Sequence, residues 1–406
     1  MSYITITDLA EIPSTEPEQP VVYRLNSKTL FKGVLTIPRN VTLTIDCEGG
    51  DLNVEGTINV LGTIEIRDFG DNPGSVDSPN GGYIIGEEIN ILKGGTISMT
   101  EGGSILSNSL QIHDGGVIKQ TGGDVLSNMF DIHKGGVFNS TGIKVQDGKK
   151  ISVKGKINCD GNMFVADATV SIESGGIIDG GYIVEVVAGG TLNISGTLHC
   201  TYLYIASGVC NVYPGAEVLP TSGTGIDGTL NVNSGATVHI PSGCELGCKG
   251  EINIQEGGEI VVNSGASMYI YIWWYFRLFP TVGTINVRGT LDVKRNVRIN
   301  TRYRGLVSNG VIKIYEGGVF NYENSTDVVD GGEINLLNIH WLDNGCFGQG
   351  DHTGHLGTGT WVPHTHTNPI TRGIFRYFNA LSSCYDSTNY YTDKNTDIDI
   401  PPMGRR

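Results

Sequence analysis

The stretch from Ile105 to Ile118 reads ILSNSLQIHDGGVI, and the stretch from Val125 to Phe138 reads VLSNMFDIHKGGVF. The second copy follows the first at a constant offset, and most positions are identical or exchange one apolar residue for another. Leu106 aligns with Leu126, Ser107 with Ser127, Asn108 with Asn128, Ile112 with Ile132, and His113 with His133. Each copy alternates apolar and polar residues and then closes on a Gly-Gly pair, which is the mark of a strand running into a tight corner. A fixed period of this length is the signature of a repeat architecture.

A shorter unit spreads the pattern outward. It reads GTINV from Gly56, GTIEI from Gly62, GTLNI from Gly190, GTLNV from Gly228, GTINV from Gly283 and GTLDV from Gly289. Looser copies start at Gly235, Gly250, Gly310 and Gly332. Many copies fall in pairs, among them Gly56/Gly62, Gly190/Gly196, Gly250/Gly257 and Gly310/Gly317. A step of six or seven residues is too short for a sandwich strand plus its turn. It suits one side of a coil with three short strands, about 20 residues in all. The expected fold is therefore all-β: a parallel β-helix, or β-solenoid, in which each coil buries its inward Ile, Val and Leu against the coils before and after it. Roughly 15 such coils fit within residues 41–340 at this period. Residues 1–40, with Pro13, Pro17 and Pro20, read as an N-terminal cap or attachment segment. Residues 341–406 read as a separate, small irregular or β region, a His-containing tip or interface.

Composition agrees and excludes other classes. Of 406 residues, 59 are Gly, 39% are hydrophobic and only 17% are charged. A coiled coil and a charge-rich disordered chain are excluded by those shares. The formal net charge of −15 argues against nucleic acid as a partner and against an anionic membrane surface. No apolar run is long enough to span a bilayer, so no membrane insertion is expected. The opening MSYITITDLAEIP lacks a basic segment followed by an apolar one, so no classical signal peptide is expected. The eight cysteines are scattered and are expected to be small buried apolar residues.

Function is expected where the repeat is decorated or broken. Stacked coils place aligned residues over one another, so His113 over His133 and Asn108 over Asn128 are expected ladder pairs. A polar outward ladder and a glycan- or metal-binding face are the two readings. The run MYIYIWWYFRLFP breaks the repeat, with seven aromatics between Tyr269 and Phe279. Tyr271, Trp273, Trp274, Tyr275 and Phe276 suit a subunit interface, a sugar-stacking platform, or intrachain core. A basic cluster follows, and Arg295, Arg298, Arg302 and Arg304 suit ion pairs between subunits or contact with an anionic glycan. In the C-terminal region, His364 and His366 share one face of an extended strand, and His352 and His355 lie close by in sequence. Such imidazoles are ligands for a divalent transition metal, the one cofactor the sequence suggests. No catalytic residues are assigned. Asp160, Asp179, Asp227 and Asp330 each stand beside Gly at an expected corner, where Asp is a turn residue, and no two acids pair on one expected strand. Any activity is expected to be that of a polysaccharide hydrolase or lyase.

The Gly-cornered body together with the His364-x-His366 motif resembles bacteriophage tail spikes and tail fibres. That resemblance implies a homotrimer attached to a virion by its N-terminus and touching a host-surface glycan with its body or tip. It also implies other virion proteins as partners. A self-assembling extracellular filament or surface adhesin, stacked end to end through open coil ends, is the alternative.

Overall fold

The computed structural model describes residues 4–6, 8–25, 27–46, 50–67, 82–99, 103–270, 272–273 and 281–293, together with 298–300, 311–314, 319–322, 339–341, 346–349 and 352–355. Residues 6, 46, 270, 272–273, 281–282 and everything from 298 onward are described for their backbone only. The chain is an all-β parallel solenoid of about 12 coils, spaced about 21 residues apart. It divides into two units, Met1–Tyr182 and Ile183–Arg406.

In the first unit one ladder runs through Lys28–Ile37, Asp51–Val60, Tyr83–Ile91, Ser104–Ile112, Asp124–Ile132, Lys150–Val153 and Thr169–Ile172, every pair parallel. A second ladder runs from Ile4–Ile6 through Val21–Leu25 and Val41–Asp46 onward to Val117–Gln120, Val137–Ser140, Lys156–Cys159 and Ile177–Gly180. The strands alternate one residue in and one out, as the sequence pattern dictates. Ile58, Ile89, Leu110, Phe130, Ile151 and Val170 therefore fall in one register column, and all are buried. Each such side chain contributes roughly 1.5–3 kcal/mol of burial, and the column makes every coil the lid of its neighbour.

The Gly-Gly corners need glycine twice, for different reasons. The first residue sits in the left-handed region: Gly115 has φ +72°, Gly135 +83° and Gly175 +80°. Where this role falls to a residue with a side chain it is Asn or Asp, as at Asn40 and Asp167. The second glycine has no room for a side chain. A Cβ on Gly116 would meet the Ile91 carbonyl oxygen at 2.5 Å, and one on Gly136 the Ile112 oxygen at 2.5 Å.

The second unit has coils with three four-residue sides, as in Thr229–Val232, Thr237–Ile240 and Glu245–Cys248. Thr191–Ile194 leads a ladder through Val209–Val212, Thr229–Val232, Glu251–Ile254, Thr284–Val287 and Val311–Ile314 to Ile339–Trp341. Among described residues no helix is long and apolar enough to cross a membrane; the one helix described is the short 3-10 turn Leu9–Glu11.

Two boundaries differ from the sequence reading. Parallel pairing already runs through Val21–Leu25 and Lys28–Ile37, within the expected lead-in, and it continues past residue 340 to Cys346–Gln349. These strands lack the Gly-Thr opening, which is why the repeat unit does not reveal them. The sequence step is also uneven. It is 31 residues from Asn59 to Asn90 and 33 from Asn253 to Asn286, so fewer coils fit than a constant period of about 20 allows.

Candidate functional site

On the first unit, the two aligned copies of the repeat lie on adjacent coils. The imidazoles of His113 and His133 stack with centroids 4.7 Å apart and planes 4° from parallel. His113 Nε2 lies 3.5 Å from Asn90 Oδ1, and His133 Nε2 lies 3.3 Å from Gln111 Oε1. Burial, and then the neighbouring His133, lowers the His113 pKa below its usual 6.5, against a smaller opposing pull from Glu88. Asn128 Nδ2 donates to Asn108 Oδ1 at 3.1 Å. Ser107 donates to Ser127 at 3.0 Å.

A longer ladder, not singled out from the sequence, runs through the second unit. There Asn211 donates to Asn193 (2.9 Å), Asn231 to Asn211 (2.8 Å), Asn253 to Asn231 (3.0 Å) and Asn286 to Asn253 (2.8 Å). These are the Asn residues of the Gly-Thr-Leu-Asn-Val type unit, so the signal stood in the motif itself.

The cluster with most chemistry lies on another side of these coils. Tyr202, Gly223, Glu245 and Ser267 form one outward column, and Tyr204, Gly225, Gly247 and Tyr269 form the next. Two tyrosines on one coil thus face glycines on the next. The rings lean over them: a Cβ on Gly225 would meet Tyr202 Oη at 2.7 Å and Tyr204 Cδ2 at 3.0 Å. The two rings lie 6.3 Å apart and 48° from parallel. Covering strand glycines with aromatic rings restores the packing that glycine lacks. The polar edge of the shelf is Asp227: Tyr204 donates to Asp227 Oδ2 at 2.8 Å, and Lys249 Nζ lies 3.1 Å from the same oxygen. Burial and then the bond to the Asp227 carboxylate push the Tyr204 hydroxyl pKa up, so the phenol stays protonated and donating. The shelf therefore offers half-buried aromatic surface beside a fixed carboxylate and ammonium. Sequence patterning passes it over because the tyrosines stand in YLY and the glycines in GTG one coil further along, and only the register unites them.

The other expected site residues are placed as follows. Trp273 lies in Ile272–Trp273, which pairs antiparallel with Thr281–Val282 and so departs from the parallel ladder. Arg298 begins Arg298–Asn300, the partner of Ser267–Tyr269. His352 and His355 are the ends of a strand antiparallel to Cys346–Gln349. Tyr271, Trp274, Tyr275, Phe276, Arg295, Arg302, Arg304, His364 and His366 lie outside the described residues. Among described residues, no group of three or more His, Cys, Asp or Glu is placed to hold a metal ion. Of the acids considered for catalysis, Asp179 pairs with Lys156 at 3.0 Å and Asp227 belongs to the shelf, while Asp330 lies outside the described residues. Cys159, Cys200, Cys210, Cys244 and Cys248 are free and buried. Burial pushes the Cys200 and Cys210 thiols up to about 12, far from a reactive thiolate.

No family model and no curated protein matches the chain. Among solved structures it is similar to the TibC-catalysed, hyper-glycosylated TibA 55–350 fragment, with 18% identity over 79% of this chain and 97% of that one, at a TM-score of 0.22. At that identity and score the likeness bears on neither site nor function.

Proposed function

We propose that this protein is a structural and adhesive solenoid that binds an uncharged glycan through the Tyr202–Tyr204 shelf. The observation that carries the reading is the pair of tilted tyrosine rings on a glycine floor, with Asp227 and Lys249 fixed at its edge. Sugar rings present C–H faces that pack on aromatic rings, and hydroxyls that bond to a carboxylate and an ammonium. The two charges of Asp227 and Lys249 cancel, so neither sign of ligand is favoured at that edge. Display on a virion, as a spike or fibre subunit, is the setting that the Gly-cornered body and the His364-x-His366 motif support. An extracellular surface adhesin is the same chemistry in another setting.

The test is a screen against surface polysaccharides followed by calorimetry on single-site variants. Tyr204→Ala is expected to weaken binding at least tenfold, about 1.4 kcal/mol. Tyr204→Phe keeps the ring and is expected to retain most of the affinity. Wild-type affinity in Tyr204→Ala would remove the shelf from the function.

A further inference from the structure

In the first unit the solenoid changes its cross-section, and the change leaves a slot. Asp124–Ile132 pairs with the coil before it on both sides of Asn128, but only Met129–Ile132 pairs with the coil after it. The half strand 124–127 thus has a ladder partner on one side only, among described residues. The next segment on that side, Ile143–Val145, pairs forward with Met163–Val165 and begins a new column. Between these two edges lies a cleft of about 340 Å³, within the range of ligand-binding pockets.

The backbone groups facing the cleft follow from the ladder geometry. In a parallel ladder successive residues point their N–H and C=O alternately to the strand before and the strand after. Asp124 N–H bonds the Gly103 oxygen at 3.2 Å, so Asp124 and Leu126 face backward while Val125 and Ser127 face forward into the cleft. Ile143 N–H bonds the Asn162 oxygen, and the Val145 oxygen accepts from Ala166 N–H, each at 2.9 Å. Lys144 therefore points its backbone groups the other way, into the cleft from its opposite wall. Two open strand edges face one another across a space whose lining includes Val125, Phe130, Phe138, Ile143 and Ile151. Lys144 and Lys149 also line it, against the single carboxylate of Asp124.

We infer that this slot receives an extended segment of a partner polypeptide, added as a strand between the two edges. An open edge is a ready template for another chain, and strand addition takes its affinity from main-chain bonds and its specificity from alternate side chains. The apolar lining calls for aliphatic residues at the inward positions. The two lysines call for acidic residues at the outward ones, as cross-strand partners of Lys144. This proposal concerns the first unit and is independent of the tyrosine shelf.

The experiment titrates the full chain with a fluorescent eight-residue peptide that alternates isoleucine and aspartate. Hydrogen exchange is followed in the same samples. Saturable binding is expected, with exchange slowed at Val125, Ser127 and Lys144. The same peptide N-methylated along its backbone cannot form the ladder, and its binding is expected to vanish. Lys144→Glu reverses an exposed charge without touching the core and is expected to weaken binding about two- to fivefold. Val125→Pro removes a donor that the fold itself does not use and is expected to abolish binding. Equal affinity for the N-methylated peptide would overturn the inference and leave an apolar small-molecule cleft instead. Protection mapped elsewhere, or no binding at millimolar peptide, would also overturn it.

Discussion

At the scale of single residues, the corners show how one letter serves two constraints. Gly175 has φ +80° with open space around it, whereas a Cβ on Gly176 would run into the Val153 carbonyl oxygen. Gly175→Asn is therefore expected to cost under about 1 kcal/mol, because Asn visits the left-handed region. Gly176→Ala is expected to cost about 1–3 kcal/mol, the usual range for overpacking. Urea denaturation of the two variants checks the order, and equal losses would contradict the assignment. His113 makes a second residue-level prediction. Its folded pKa is lowered, so folding favours the neutral ring. The unfolded chain then binds more protons, and stability is full above about 6.5 and falls as pH drops through the folded pKa. The expected signature is an NMR titration of His113 with its midpoint below 6.5, and a denaturation midpoint that declines on acidification. Replacing His113 by Gln is expected to flatten that decline.

At the scale of strands and ladders, the amide column of the second unit links successive coils side chain to side chain. Asn231 both donates to Asn211 and accepts from Asn253, at 2.8 and 3.0 Å. Asn231→Ala removes two bonds at once, worth about 0.5–1.5 kcal/mol each, so a loss of about 1–3 kcal/mol is expected by chemical denaturation. It also leaves two half-buried amides with one partner fewer. A change smaller than the least that one such bond contributes would show that water replaces the ladder without cost. The alternation within each strand, the glycine corners and the coil period were legible in the sequence, because each is a local pattern of a few residues. What faces what across coils was not. Tyr204 meets Asp227 across 23 residues and Asn253 meets Asn286 across 33, and no fixed offset predicts both. The pair His113 and His133 stood out only because it falls inside the one nearly perfect repeat.

At the scale of the whole molecule, the proposed spike or fibre identity makes a mass prediction. Light scattering is expected to give three times the 43.5 kDa of the single chain, the mass of a homotrimer. Dissociation on adding a chelator is the outcome expected if a metal held by His364 and His366 joins the subunits. A monomer at 43.5 kDa would remove the trimer and leave an adhesin that acts singly. A large polydisperse mass would favour the end-to-end filament. The sequence reached the architecture without reaching the binding face for a plain reason. A solenoid's core is written in repeated local words, whereas its surface is assembled from residues that no repeat requires.

The amide column also has a consequence for how such a chain can be rebuilt. Its rungs are separated by 18, 20, 22 and 33 residues, yet each closes at 2.8–3.0 Å. The rungs keep time while the corners between them vary freely in length. That is the property expected of a grafting chassis: a foreign loop spliced into a corner is expected to leave the next rung and the coils beyond it in place.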